Sequence, residues 1–165
     1  MNPFEFFIPQ NIIVGAGTMA RLPECAQKLG GTHAMLLSGP TLRKMGIVDK
    51  AAKYLKDAGM KVDIFTEIEA NPSVTTVEKA TTAFKEAGAD FIVALGGGSP
   101  MDVAKAVGVT AKYGGSITEY EGAHKVPGKI IPLIAIPTTA GTGSEVTAFS
   151  VITDHSRDYK LTVFS

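Results

Sequence analysis

The sequence predicts a doubly wound α/β domain, with a mostly parallel sheet and helices on both faces, that occupies residues 1–165. Two observations support this fold class. Short β-prone apolar runs alternate along the chain with amphipathic helical segments, and brief glycine-rich connections join them. Such alternation is typical of parallel βαβ units. A chain of 165 residues is also long enough to bury a real core as one domain.

The chain should open on a β-hairpin formed by residues 4–8 and 11–14. Residues 15–20 then match the dinucleotide-binding pattern G-x-G-x-x-A. That fingerprint also requires an acidic residue at the end of the next strand. The strand predicted at 34–37 is followed by Ser-Gly-Pro, without a carboxylate. We therefore interpret this first glycine pair as a turn into a helix over about 19–29.

Strand and helix continue to alternate in the middle of the chain. Residues 47–58 carry apolar side chains on one helical face and charged side chains on the other, and Gly59 ends this helix. A strand follows at 61–65, and Asn71 opens a further helix that closes at Gly88. In open sheets of this kind, ligands bind beyond the carboxyl ends of the strands.

The strongest single motif is a buried strand, a glycine turn and a helix within residues 91–107. The apolar run 91–95 is short and ends abruptly, as is typical of a strand covered on both faces. Three glycines at 96–98 then allow backbone N–H groups to approach a ligand. We expect Ser99 to cap the helix and Pro100 to be its first residue. The free N–H donors and the helix dipole predict a phosphate site, and a tight turn without a ligand is the alternative.

A second candidate segment follows the strand predicted at 130–136. Residues 137–147 are dense in glycine, threonine and serine, whose amides and hydroxyls can hold a polar ligand without adding charge. The segment is not a P-loop, because the lysine of a Walker motif is missing, and an ordinary loop is the alternative. The chain ends on a hairpin predicted at 150–153 and 159–164. Because complete domains usually cover such an edge, we expect a longer parent protein.

Composition excludes several function classes. Sixteen Lys and Arg balance sixteen Asp and Glu, and Trp is absent, which argues against a nucleic-acid or anionic-membrane surface. The single Cys25 excludes an internal disulfide and fits a reducing compartment. The N-terminus has no signal-peptide pattern, so we expect a cytoplasmic protein. His33, His124 and His155 lack the spacing of metal ligands, so no metal site is predicted.

Residues 96–106 and 137–147 together resemble two motifs of the iron-containing (group III) alcohol dehydrogenases, and the resemblance covers the chain from its first strand to Ser165. It implies a Rossmann-like domain that forms the nucleotide-binding half of an iron-dependent, NAD(P)-linked alcohol dehydrogenase. Such enzymes interconvert alcohols with aldehydes or ketones by hydride transfer.

In that family, one Asp and three His of a C-terminal helical domain hold the metal. We expect that domain to be absent here, and with it the metal site and the catalytic residues, so that this chain alone is inactive. The resemblance also implies a homo-oligomer acting on a small alcohol or aldehyde. Two alternatives stay open: a zinc enzyme of the glycerol dehydrogenase and dehydroquinate synthase branch, and a stand-alone nucleotide-binding module.

The resemblance further implies the cofactor-binding residues. The glycine turn would hold the pyrophosphate, and the threonines of the second segment the adenine and phosphates. Thr147, Phe149 and Lys160 would lie near the nicotinamide ribose, and Asn71 near the cofactor. Gly39 stands where many NAD-preferring members carry Asp, which would repel a 2′-phosphate, so we expect NADP to be tolerated beside NAD. The predicted cofactor-binding residues are Gly39, Asn71, Gly96, Gly97, Gly98, Ser99, Pro100, Asp102, Thr138, Thr139, Thr142, Thr147, Phe149 and Lys160.

Overall fold

The computed structural model describes residues 10–164. Its helices and strands are α1 (Leu22–Lys28), β1 (His33–Ser38), α2 (Pro40–Lys44), α3 (Ile47–Asp57), β2 (Lys61–Phe65), α4 (Val74–Ala87), β3 (Phe91–Gly96), α5 (Gly98–Tyr113), β4 (Gly122–Ala123), β5 (Leu133–Pro137), β6 (Phe149–Asp154) and β7 (Tyr159–Phe164). Short 3-10 turns occupy Thr18–Arg21, Ile117–Tyr120 and Ser144–Val146. Among residues 10–164, no helix is both long and apolar enough to cross a membrane.

Four parallel strands form the main sheet in the order β2-β1-β3-β5. Leu36 of β1 pairs with Ile64 on one side and with Val93 on the other. The chain adds β2 beyond one side of β1 and then β3 and β5 beyond the other. The strand order therefore reverses between β1 and β3, and a ligand crevice is expected beyond their carboxyl ends.

Two apolar cores cover the two faces of this sheet. Met35 and Ile92 point into the core formed with α4 and α5. Leu36 and Val93, one position further along, point into the core formed with α1 and α3. Successive strand residues face opposite sides, so each strand serves both cores. The predicted doubly wound fold with helices on both faces is confirmed.

A second sheet of three strands has the order β4-β7-β6. Strands β6 and β7 form an antiparallel hairpin in which Ile152 pairs with Leu161, and the hairpin predicted at the end of the chain is therefore confirmed. Both side chains are fully buried and join the core beneath α4 and α5. Helix α5 is consequently packed between the two sheets.

Some elements differ from the prediction. The first strand of the predicted N-terminal hairpin, residues 4–8, lies outside the described residues, and residues 11–14 are not a strand. The helix predicted at 19–29 begins as the 3-10 turn Thr18–Arg21 and becomes α-helical only from Leu22. Helix α2 was not predicted. In the sequence, Pro40 looks like the residue that ends the preceding strand, but in the structure it is the first residue of a short helix.

Candidate functional site

The glycine turn joins β3 to α5 at the edge of the main sheet. Gly97 is the N-cap residue in an extended conformation, and Gly98 is the first helical residue. The prediction that Ser99 caps the helix is therefore wrong, and Pro100 is the third helical residue and not the first. Within the described chain no side chain caps α5, and its first turn carries no acidic residue. The positive end of the helix dipole thus has no neutralising carboxylate within its own first turn.

The glycines are required because the threonine-rich loop, residues 137–147, packs directly on the turn. A Cβ added to Gly97 would lie 3.1 Å from Oγ1 of Thr139. A Cβ added to Gly98 would lie 2.9 Å from both Oγ1 and Cγ2 of Thr142. Residue 98 is therefore a glycine, since a Cβ there would overlap Thr142. The two sequence motifs, whose first residues are 41 positions apart, form one site.

An open groove of about 220 Å³ lies beyond the carboxyl ends of β1 and β3. The backbone N–H of Thr138 donates to the carbonyl oxygen of Gly96 at 2.9 Å and closes one end of it. The predicted cofactor-binding residues that line the groove are Gly39, Gly96, Gly97, Gly98, Ser99, Pro100 and Thr138. The lining residues absent from that prediction are Thr41, Leu42, Ile68, Glu69 and Ala70.

A larger groove, of about 490 Å³, lies between the start of α4 and the β6–β7 turn. None of the predicted cofactor-binding residues lines it. Arg157 lines this groove, and its guanidinium is already paired with Asp154 at 2.6 Å and Glu121 at 2.9 Å. We therefore place the candidate site in the smaller groove, because that groove has the glycine turn and the free end of a long helix.

Behind the turn, a polar cluster consisting of Asp102, Lys105 and Ser144 joins α5 to the threonine-rich loop. The Ser144 hydroxyl donates to Oδ1 of Asp102 at 2.6 Å and accepts from the Lys105 ammonium at 2.7 Å. Burial raises the pKa of the Asp102 carboxyl, and burial likewise lowers the pKa of the Lys105 ammonium. Neither Lys105 nor Ser144 was among the predicted site residues. A lysine three positions after an aspartate in an otherwise apolar helix is the signal that could have identified this cluster.

The other predicted residues lie on or beside the second sheet, outside the lining of the groove. The Lys160 ammonium donates to Oδ1 of Asn71 at 2.8 Å. Asn71 has a left-handed backbone with φ 54°. The ring of Phe149 stacks on that of Phe164 with centroids 4.5 Å apart, and Thr147 ends the last 3-10 turn. Their contacts with a cofactor stay a prediction.

Glu69 is a lining residue with a fixed charge. Its carboxylate accepts from the backbone N–H of Ser73 at 2.9 Å and from the Thr76 hydroxyl at 2.7 Å. Partial burial opposes ionisation, but these hydrogen bonds outweigh it and lower the pKa of the Glu69 carboxyl. The groove therefore carries one carboxylate, and its hydrogen-bond partners lie at the start of α4.

The described residues offer no donor set for iron. Between residues 10 and 164, no three His, Cys, Asp or Glu side chains converge on a point where a metal ion could bind. His33 bonds Asp63 at 2.6 Å, and the ring of His124 meets Phe164 edge-on.

The comparison with family models decides the family. Residues 9–165 match the model described as iron-containing alcohol dehydrogenase. The chain belongs to this family. The family and the Rossmann-like fold implied by the two motifs are thus confirmed.

Two curated relatives illustrate the cofactors used by similar proteins. The NAD-dependent methanol dehydrogenase of Bacillus methanolicus is 37% identical over 159 residues, which cover 96% of this chain and 42% of the relative. The NADPH-dependent butanol dehydrogenase of Clostridium saccharobutylicum is 38% identical over 160 residues, which cover 94% of this chain and 40% of the relative. The chain thus spans about two fifths of their length.

Two solved structures also match nearly all of this chain over less than half of their own length. A 1,3-propanediol oxidoreductase superposes with a TM-score of 0.94 at 36% identity, over 99% of this chain and 43% of its own. The sulfoacetaldehyde reductase from Bifidobacterium kashiwanohense, determined in complex with NAD+, has a TM-score of 0.91 at 32% identity, over 100% of this chain and 44% of its own.

Proposed function

We propose that this chain is the nucleotide-binding part of an NAD(P)-linked alcohol dehydrogenase. The observation that carries the proposal is the uncapped N-terminus of α5 at a glycine turn packed beneath threonines. Backbone N–H groups at such a helix end bind the pyrophosphate of a dinucleotide without competition from a side chain. Membership of the iron-containing family supports the same assignment.

Each part of the groove has its own task in this proposal. The N–H groups of Gly98 and Ser99 donate to the pyrophosphate, and the hydroxyls of Thr138 and Thr139 donate to the phosphate and adenosine oxygens. When bound, the nicotinamide cofactor supplies the hydride acceptor or donor. The chain's own residues bind and orient it. The alcohol or aldehyde, and any metal that polarises its oxygen, would be held by residues other than those described here.

Titration of the purified protein with NADH tests the proposal. The chain has no Trp, so the fluorescence of bound NADH can be followed without tryptophan emission. Substitution Gly97→Ala places a methyl group 3.1 Å from Oγ1 of Thr139, so that the glycine turn and the threonine-rich loop can no longer hold the pyrophosphate between them. It should weaken NADH binding by about tenfold or more, because charge-assisted hydrogen bonds of roughly 1.5–3 kcal/mol are lost.

Gly128→Ala is the matched control. An added Cβ at Gly97 lies 3.1 Å from the hydroxyl of Thr139, and one at Gly128 lies 3.2 Å from that of Tyr113. The crowding is similar, but Tyr113 ends α5, about 22 Å along the helix from the glycine turn. NADH affinity should be unchanged in this variant. Absence of NADH and NADPH binding by the unmodified protein, or equal binding by both variants, would contradict the proposal.

We also propose that the site accepts both NAD and NADP. Gly39, which lines the groove after β1, brings no carboxylate to repel a 2′-phosphate. A titration in which NADH binds more than about tenfold tighter than NADPH would argue against this. A cytoplasmic location and a homo-oligomer belong to the proposal too. Sedimentation that shows a monomer at high concentration would remove the oligomer from it.

A further inference from the structure

The Lys105 ammonium connects three separate elements. It lies on α5, and its Nζ donates to the Ser144 hydroxyl at 2.7 Å and to the backbone carbonyl of Phe149 at 2.7 Å. The same nitrogen lies 3.9 Å from Oδ1 of Asp102. One side chain thus joins the helix that starts at the glycine turn, the end of the threonine-rich loop, and the first residue of β6.

The two charged side chains are largely buried. The Lys105 side chain is 14% exposed and that of Asp102 is 17% exposed. Burying an ion pair seldom stabilises a fold more than apolar packing of the same volume would, because both charges lose their hydration. Two of the three ammonium donors bond the oxygens of Ser144 and Phe149, and the Asp102 carboxylate lies at ion-pair distance. Such an arrangement fixes the relative position of the elements that supply those oxygens.

These contacts of Lys105 fix the position of Thr142. The backbone N–H of Ser144 donates to Oγ1 of Thr142 at 3.3 Å. That oxygen lies 2.9 Å from where a Cβ of Gly98 would be. Hydrogen bonds therefore run from Lys105 through Ser144 to Thr142, and Thr142 occupies the space that a Cβ of Gly98 would need.

We propose that Lys105 is a positioning residue of the cofactor site, which holds Ser144, and through it Thr142, over the glycine turn before the cofactor binds. This inference rests on the proposed function. With the ammonium in place, the loop is already ordered when the dinucleotide arrives. Without the ammonium, the free-energy cost of ordering the loop reduces the net free energy of binding, so the affinity is lower.

The test is an NADPH titration of Lys105→Met, which removes the ammonium but keeps a side chain of similar length. We expect NADPH to bind about tenfold more weakly. Lys112→Met is the matched control, on the same helix and with the same loss of charge. Lys112 also donates to a backbone carbonyl, that of Lys129, but it is exposed and lies toward the far end of α5. The affinity of the Lys112→Met variant for NADPH should be unchanged.

A double-mutant cycle separates positioning from general destabilisation. Ser144→Ala leaves the ammonium but breaks the link to the loop, and it should weaken NADPH binding several-fold. The combined Lys105→Met/Ser144→Ala variant should bind no more weakly than Lys105→Met alone, because both changes interrupt one path. Thermal melts of all variants establish that each is folded at the titration temperature.

The outcomes separate the two proposals. If the unmodified protein binds neither NADPH nor NADH, the proposed function itself is overturned. If it binds, and folded Lys105→Met binds equally well, the role of Lys105 is overturned while the proposed function stands. Should Lys105→Met not fold, Ser144→Ala decides: a several-fold loss supports the inference, and unchanged affinity overturns it. Additive effects in the cycle would also overturn it.

Discussion

The substitution Gly39→Asp should change the cofactor preference of the protein. Gly39 is the N-cap of α2 and lines the groove beside the glycine turn. A Cβ added there meets only the carbonyl oxygen of Ile68, at an ordinary 3.5 Å. An aspartate therefore fits without movement of the backbone, and it is a favourable N-cap residue, so the fold should not be weakened.

The expected effect follows from the charge on the 2′-phosphate. Two unit charges 4 Å apart repel by about 1 kcal/mol at the dielectric constant of water, and a phosphate monoester carries roughly 1.5–2 negative charges. The groove is open to solvent, so the repulsion takes its value for water. The added carboxylate should then cost NADPH about 1.5–2 kcal/mol, which is about ten- to thirtyfold in affinity. NADH lacks that phosphate and can gain hydrogen bonds from its ribose hydroxyls.

Paired titrations with NADPH and NADH measure this preference. Gly39→Asn is the control, because asparagine has the same shape and caps a helix equally well but carries no charge. Only the aspartate variant should lose NADPH affinity, and the loss should shrink as salt is added. If both variants show the same ratio of NADPH to NADH affinity, the 2′-phosphate does not lie beside residue 39.

Three further predictions concern stability. Ser73→Ala removes the side chain that accepts a first-turn N–H of α4, and should lower the free energy of unfolding in urea by about 1 kcal/mol; an unchanged value would contradict the capping role. Hydrogen bonds from Ser156 and then Arg157 lower the pKa of the Asp154 carboxyl to about 2. In an unfolded chain that pKa is roughly 3.9. The stability that the ionised carboxylate contributes is therefore complete above about pH 3.9 and is lost as pH falls toward 2. Asp154→Asn should therefore lower the melting temperature near neutral pH but not near pH 2, and an equal decrease at both would refute the assignment. Gly31→Ala drives a Cβ into the buried phenylalanine ring at the start of β3 and should cost about 1–3 kcal/mol in the same urea experiment, whereas an unchanged midpoint would show that the ring moves freely.

Local sequence patterns predicted most elements of the main sheet. Residues 91–95 read as a strand covered on both faces, and β3 is fully buried in the centre of the sheet. Gly88 was predicted to end a helix, and it caps α4 with a left-handed φ of 68°. These features depend on neighbours in sequence, which is why they could be predicted without a structure.

Features that depend on distant residues could not be predicted in the same way. The rule that hydroxyl residues cap helices favoured Ser99, yet the loop packed above the turn requires glycine at the actual start of α5. Lys105 and Ser144 are 39 positions apart, and no local pattern joins them. The two motifs identified the region of the site, but the contacts that hold its two sides together needed the folded chain.

The burial of α5 limits where motion can occur around the proposed cofactor site. Nine of its sixteen residues are buried, and it contacts both sheets. Beyond the unpaired N–H groups of its first turn, its amide hydrogens should exchange with solvent only when the whole domain opens, because such helices belong to the most protected unit of a fold. The helix end is thus the rigid side of the proposed cofactor site, and the exposed segment 138–142 is its mobile side. Exchange rates in 138–142 should therefore fall most when a dinucleotide binds.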